Sequence, residues 1–303
     1  MSEPPPPRTD RRVAAVIPTL GRSPHLENCL RALRAQSGWI EPVEILVVDQ
    51  GERPVDLPVE LADRVLRPGR NLGFAAGTNL GIAATSAPYL ATVNDDAVVE
   101  PGWLAALLEA LEADSCLGAV QGANLRLDRP EILDGLGIAW NRRRQAVQIG
   151  AGEEAPGKDA PARSIFGVSA TAALYRRSAL EAVKLGPGEF FDSNLGSYYE
   201  DVDLASRLAA KGFAAAAIPA ARALHAGSTT GGAARWSLVY GNRHLALARI
   251  LGRGYWWRLP ALVGRDSIDL FRAAIGGDTG RMTGILAGWG RAARRLPRFA
   301  HRR

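Results

Sequence analysis

Cysteine, lysine and long apolar runs are what this chain lacks. Two cysteines occur, Cys29 and Cys116, far apart. Two thiols build neither a disulfide scaffold nor a cysteine zinc site, and both read as core residues, in or at the end of a helix, in a reducing compartment. No stretch of about eighteen uncharged apolar residues is present, so no membrane-spanning helix is expected. Residues 1–12, MSEPPPPRTDRR, have no apolar signal core and read as a disordered leader. Lysine occurs three times, so arginine carries nearly all the positive charge. There is no internal repeat, and the glycines at 69–81 do not spell GxGxxG, which argues against a dinucleotide-binding fold.

What is present is an ordinary soluble composition, 47% hydrophobic and 22% charged, long enough to bury one large core with an appended segment. The net charge of +6 is unevenly placed: residues 249–303 hold 12 arginines against 3 aspartates, while the preceding part is slightly acidic. A basic segment can meet phosphate on nucleic acid or on lipid. Here Trp256, Trp257, Leu259, Leu262, Val263, Ile268, Leu270, Phe271, Ile285 and Leu286 mix with arginine at helical spacing. Basic amphipathic helices with interfacial tryptophan suit an anionic membrane surface, and no nucleic-acid partner is expected. The alternative is that these helices dock on the rest of the protein with their arginines solvated.

Strand-like and helix-like segments alternate. Apolar runs at 13–17, 43–49, 64–66, 89–93, 117–125, 165–175 and 214–219 read as strands. Pro18 stops the first of them. Ser23-Pro24 offers an N-cap and first-turn proline for a helix to about Ala35, with Leu26, Leu30 and Leu33 on one face. Further helices are expected at 103–113, from Ser178, and at 199–211 before Gly212. Glycines recur every four residues from Gly69 to Gly81, and each costs a helix about 1 kcal/mol against alanine, so close packing or ligand approach is expected there. Residues 137–152 suggest a hairpin, and 153–163 a surface loop. The pattern implies an α/β fold with a mostly parallel sheet.

The central stretch is YLATVNDDAVVEP at 89–101. A buried strand ends there in Asn94-Asp95-Asp96, and open α/β sheets bind ligands at the carboxyl ends of their strands. Adjacent carboxylates repel each other and favour a bound cation, Mg²⁺ or Mn²⁺ for oxygen ligands; a solvated loop cap is the plainer alternative. Glu200, Asp201 and Asp203 open a helix, where the helix dipole favours acids. Val202, Leu204 and Leu208 bury the other face, leaving the acids available, one of them as a general base. Asp49, at a strand end, either bonds loop amides or faces a ligand. His225 precedes Gly-Ser-Thr-Thr, which offers hydrogen bonds to phosphate.

Taken in order, VIPTLGR (16–22), VVDQG (47–51), RNLGFAAGTNLGI (70–82), NDDAVVEPGWL (94–104) and YYEDVDLASRL (198–208) resemble an inverting family 2 glycosyltransferase of the GT-A fold, rhamnosyltransferase-like in character. The resemblance covers residues 13–242. It implies a catalytic domain over 13–230 and a basic amphipathic helical region over 231–303. It also implies that Pro18, Thr19, Asp49, Arg70, Asn71 and Gly73 line the nucleotide pocket of a nucleotide-diphosphate sugar donor. Asn94-Asp95-Asp96 occupies the family's DxD position, with Asp96 as metal ligand and Asp95 toward the sugar; Asn94 stands where the first Asp is usual. His225 would complete the divalent-cation and diphosphate site. Asp201 would be the catalytic base, with Glu200 its nearest rival. The implied acceptor is a glycan or lipid-linked hydroxyl of the cell envelope, and the implied location is cytoplasmic, peripheral to the inner face of the membrane. Two other readings are a non-catalytic nucleotide-sugar binder or membrane scaffold and a sugar nucleotidyltransferase. The latter wants a Gly-rich loop with Arg and Lys after the first strand, and 16–22 has no such loop.

Overall fold

Seven consecutive buried residues, VAAVIPT, make β1 (Val13–Thr19) the spine of the molecule. A strand covered on both faces reads as a continuous apolar run, and β2 (Glu44–Asp49) and β4 (Tyr89–Val93) are built the same way. The computed structural model describes residues 12–36, 42–142, 144–227 and 232–299. The expected leader, apart from Arg12, lies outside the described residues, as do Ser228, Thr229 and Thr230.

In chain order, β1 is followed by α1 (Leu26–Arg34), β2, β3 (Arg64–Leu66), α2 (Phe74–Ala83), β4, β5 (Ala97–Val99) and α3 (Trp103–Ala113). Then come β6 (Leu117–Arg126), β7 (Leu133–Gly135), a hairpin of β8 (Ile138–Trp140) and β9 (Ala146–Gln148), β10 (Arg163–Ile165), β11 (Ala172–Arg176) and α4 (Arg177–Val183). The chain continues through α5 (Glu200–Ala210), β12 (Ala214–His225), α6 (Gly232–Leu251), α7 (Gly254–Ile275) and α8 (Thr279–Phe299). The main sheet runs β10-β12-β6-β11-β4-β1-β2-β3, with β5 beside β12 and β7 beside β6. The pairs β4–β1, β1–β2, β2–β3 and β6–β12 are parallel, whereas β11 runs antiparallel between β4 and β6. The expected α/β architecture is present, as a mixed and mostly parallel sheet with helices on both faces.

Alternation along β1 divides the core. Val13, Ala15 and Ile17 pack against Cys29, Leu30 and Leu33 of α1 and Leu104 and Leu107 of α3. Ala14 and Val16 face Ala75 and Ile82 of α2, Leu180 of α4 and Leu204 and Leu208 of α5. A separate cluster joins the last three helices, with Leu245, Tyr255, Leu262 and Leu296 closing over Leu195.

Several expected boundaries shift, each for a local reason. Pro18 does not stop β1, because the pairing with β4 has already ended at Val16, where a missing N–H costs nothing. Ser23 is not the cap of α1; its hydroxyl accepts from the His25 amide (3.2 Å) and donates to the Asp95 carbonyl (3.0 Å). Residues 165–175 are two strands, since β10 belongs to β12 and β11 lies between β4 and β6. The last strand runs on to His225 across a bulge between Ile218 and Arg222, which absorbs Pro219. Cys29 is buried, but Cys116 is exposed in a turn rather than in the core.

The glycines of α2 are explained by contact. A Cβ on Gly77 would lie 2.6 Å from the Gln50 amide nitrogen, and one on Gly81 would lie 2.3 Å from Cγ1 of Val16. The helix backbone rests directly on the side chains of Gln50 and Val16. Gly81→Ala is therefore expected to destabilise the fold by about 1–3 kcal/mol despite alanine's better helix propensity. Denaturant unfolding of the two proteins measures this.

Candidate functional site

The sheet opens at β1 and β4. Their register runs from Val13↔Tyr89 to Val16↔Thr92 and then stops, while β1 stays paired with β2 through Thr19↔Asp49. The connection from β1 to β2 runs through α1 on one face and that from β3 to β4 through α2 on the other, and such a switch point is where open α/β sheets form their ligand crevice. Pro18 and Thr19 end β1 at this point, and Asn94, Asp95 and Asp96 follow the end of β4. The Thr19 hydroxyl spans the gap, donating to Oδ2 of Asp95 at 2.5 Å. Burial raises the Asp95 carboxyl above its usual range, Thr19 pulls it back, and neighbouring Asp96 raises it again.

Asp96 is buried, and β12 delivers His225 to it. Because β12 pairs with β5 through His225↔Ala97, the imidazole lies beside the strand end, with Nε2 3.3 Å from Oδ1 of Asp96. That contact is an ion pair that lacks the alignment of a hydrogen bond. The other ring nitrogen, Nδ1, bonds the carboxylate of Asp134 in β7 at 2.8 Å. Burial opposes a charged ring, but Asp134 and Asp96 on either side outweigh it and raise His225 to about 9. A cleft of about 350 Å³ opens beside this histidine, lined by Arg126, Asp128, Asp134, Gly152 and Gly227 among others.

Among the described residues, no group of three or more His, Cys, Asp or Glu side chains is arranged to hold a metal. The donors present still fit a cation that takes its remaining ligands from a substrate. A carboxylate oxygen and an imidazole nitrogen face each other, the nitrogen becoming a ligand when a cation displaces its proton, and an acid on the far ring nitrogen is the usual support of a metal-binding histidine.

Across the crevice, Asp49 is fully buried, and its carboxylate accepts from the amides of Gly51 (3.0 Å) and Val55 (3.1 Å) and from Arg67 (2.9 Å). It shapes the loop after β2. Gln50 accepts from the Leu72 amide at 2.8 Å, and Asn71 accepts from Gly73, which ties 70–73 to the same wall. Arg70 and Asn71 are exposed there, and Gly73 precedes α2 with φ 83°.

Helix α5 sorts its acids by burial, and not as an open row. Asp203 is fully buried and bonds Arg207 (2.9 Å) and Arg249 (2.5 Å), so it is structural. Glu200 is buried too, and its Oε2 has no partner; burial and the charge of Asp201 raise it well above the carboxylate range. Asp201 is half-buried, the least enclosed of the three. Burial raises it to about 6, while the amides of Val202 and Ala170 hold it down. Ala170 precedes Thr171, whose carbonyl accepts from the Asn94 amide at 2.8 Å. Asp201 is thereby tied to the carboxyl end of β4 through one short segment.

The turn that presents α5 is strained. Tyr198 and Tyr199 both have left-handed backbones, φ 67° and 71°, in a region that costs non-glycine residues about 1–3 kcal/mol each. The last helices hold it. The two N–H groups of the Asn242 amide in α6 are shared among the carbonyls of Leu195, Ser197 and Tyr198, each 2.8–2.9 Å from Nδ2. Arg291 donates to Asn194 and Leu195, and Arg249 joins Asp192 to Asp203. Sequence reasoning missed Asp134, Asn242, Arg249 and Arg291; for Arg249 and Arg291 the signal was present, as arginine in an apolar helix, but pointed to solvent or lipid.

Residues 14–184 match the family described as Glycosyl transferase family 2. A curated relative, the N-acetylglucosaminyl-diphospho-decaprenol L-rhamnosyltransferase of Mycobacterium tuberculosis, is 27% identical over 279 residues, covering 81% of this chain and 86% of its own. Among solved structures, the mannosyltransferase PcManGT from Pyrobaculum calidifontis, in complex with GDP-Man and Mn²⁺, superposes with TM-score 0.54 at 17% identity, covering 97% of this chain and 89% of that one. GalNAc-T7 with UDP, GalNAc and Mn²⁺ gives TM-score 0.59 at 13% identity, over 78% of this chain and 47% of that one. These likenesses establish a shared fold.

Arg249→Ala would leave Asp192 and Asp203 buried without the guanidinium that bridges them. A loss of about 3–5 kcal/mol is expected, as for other broken buried pairs. Thermal unfolding measures it, and Arg249→Lys should recover only part because one ammonium cannot span both carboxylates.

Proposed function

The chain belongs to Glycosyl transferase family 2, and from that premise we propose that it moves a single sugar from a nucleotide-diphosphate sugar to a hydroxyl of a lipid-linked glycan acceptor. The protein is an inverting glycosyltransferase of the GT-A fold. The observation that supports the proposal is that the carboxyl end of β4, with Asp96 beside His225, is joined by the Asn94 amide to Thr171, next to the Ala170 amide that bonds Asp201. The rhamnosyltransferase relative supports a hexosyl or deoxyhexosyl donor and a polyprenyl-linked acceptor. Such an acceptor is anchored in a bilayer, so the enzyme would work peripherally at a membrane, on its cytoplasmic face. Among the described residues, no helix is long and apolar enough to cross one.

The nucleotide would lie in the crevice between β1 and β4, against Pro18, Thr19 and the loop that Asp49 shapes, with Arg70, Asn71 and Gly73 at its rim. Asn94 and Asp95 would face the donor sugar. Asp96 and His225 would hold a divalent cation, Mg²⁺ or Mn²⁺, which supplies positive charge against the departing diphosphate. Asp201 takes the acceptor's proton as its oxygen bonds to the anomeric carbon and the bond to diphosphate breaks on the opposite side. A carboxyl group at about 6 is ionised at pH 7 yet more basic than an ordinary aspartate, which suits a general base. Glu200, buried beside it, is poorly placed to meet an acceptor.

Asp201→Asn is expected to lower turnover by about 10²–10⁴ while leaving donor binding unchanged. Glu200→Gln should cost far less, because burial and the charge of Asp201 already favour the uncharged form of that side chain. Donor titration alongside turnover checks both, and near-normal turnover of Asp201→Asn would move the base elsewhere. For the wild type, turnover should fall as pH drops through about 6, since protonation removes the base. That acidic limb should flatten in the residual activity of Asp201→Asn.

Chelator should abolish transfer, and Mg²⁺ or Mn²⁺ should restore it. Asp96→Ala should stay folded yet lose the extra thermal stabilisation that cation and nucleoside diphosphate together give the wild type. Full transfer in excess chelator would leave Asp96 and His225 without a cation to bind.

A further inference from the structure

Helix α7 has two distinct faces, a buried inner one and an apolar outer one. Tyr255, Leu259, Leu262, Asp266, Asp269 and Ala273 follow one another at alternating steps of four and three and turn inward, buried except for half-buried Leu259. Trp257, Ala261, Gly264, Ile268, Phe271 and Ile275 follow the same steps on the opposite side, and all six are exposed. Trp257 is 88% exposed, Ile275 74% and Phe271 66%. So large an apolar band on one helix face calls for a covering surface.

Charge indicates the covering. Arg258, Arg265 and Arg272 recur at intervals of seven along one edge of the outer stripe, so they form a row parallel to the helix axis. The helix has two acids, Asp266 and Asp269, and both face inward: Asp266 meets Arg243, His244 and Trp289, and Asp269 meets Tyr240. No carboxylate of α7 lies on the outer side to neutralise the row. A second copy brought face to face would offer the arginines no acid from its own α7. Lipid phosphates would.

We propose that the outward face of α7 is the membrane-docking surface of this enzyme. The helix would lie flat on an anionic bilayer along its length of about 33 Å. Trp257, Ile268, Phe271 and Ile275 would enter the boundary between headgroups and acyl chains, and the arginine row would rest on lipid phosphate. Arg265 also reaches the carbonyl of Arg142 in the turn of the β8–β9 hairpin at 3.4 Å, which places that hairpin next to the docking edge. The inference deepens the lipid-linked acceptor reading, because it names the side from which such an acceptor would be met.

The test uses the full chain and a triple variant, Trp257→Ser with Phe271→Ser and Ile275→Ser, all at exposed positions. Co-sedimentation is measured with vesicles of phosphatidylcholine alone and with added phosphatidylglycerol, and transfer is measured to a short water-soluble acceptor analogue. The wild type should bind the anionic vesicles, more weakly as salt rises, and the variant should bind at least about tenfold less. Circular dichroism and soluble-acceptor transfer should be unchanged in the variant. Absence of wild-type binding to anionic vesicles, or equal binding by the variant, would overturn the proposal. So would a wild-type dimer that the variant converts to monomer, because a second copy would then cover the face. Failure of both proteins to transfer to the soluble analogue, with vesicle binding as expected, would overturn the acceptor reading and leave the docking face standing.

Discussion

Buried backbone groups must find hydrogen-bond partners, and residues 190–199 show what that requirement costs this chain. The segment has no helix or strand of its own to satisfy it, yet it is enclosed between α2 on one side and α6 and α8 on the other. Asn79 in α2 accepts from the amides of Phe190 and Phe191 and donates to the carbonyl of Phe191. The Ala75 amide takes the carbonyl of Gly196, and Asn242 takes three more from the far side. Two asparagines on separate helices thus supply what regular structure would have supplied. The left-handed pair Tyr198–Tyr199 persists because the segment is held from both directions, and α5 starts where that pair aims it.

The same enclosure relates the two halves of the site. Gly73 meets the backbone of Gly196, so the wall proposed for the nucleotide and the segment leading to Asp201 are in direct contact. On the opposite side, His225 comes from the far end of β12 and reaches Asp96 because β12 continues past its bulge to pair with β5. Donor wall, strand-end acids and candidate base therefore come from parts of the chain far apart in sequence, and the sheet order brings them together.

Legibility in the sequence followed the range of the interaction. The strands β1, β2 and β4 and the helix α3 were readable because burial on one or both faces leaves a local apolar pattern. Asp95 and Asp96 were readable as acids at a strand end. Asp134 was not, because it supports a histidine 91 positions away and nothing around it signals that pairing. Glu200, Asp201 and Asp203 looked alike as acids of a first helical turn; burial separates them, and burial there depends on α6, which the local pattern does not contain. The basic tail was misread in part for the same reason. Net charge counts Arg249 and Arg291 with the surface, whereas both are spent inward on carboxylates or carbonyls, and the outer face of α7 keeps a smaller, ordered share.

The way α6 and α8 grip the 190–199 segment also bears on how this protein can be recombined. Residue 227 looks like a natural seam, after the last strand and before three helices that pack on one another. A chimaera joined there would take the segment from one parent and Asn242, Arg249 and Arg291 from the other. Asn242 and Arg291 bond carbonyls of that segment and Arg249 bonds its Asp192 carboxylate, so the seam that respects the physics is discontinuous. Residues 190–199 must travel with the helices, as an inherited unit split across the chain.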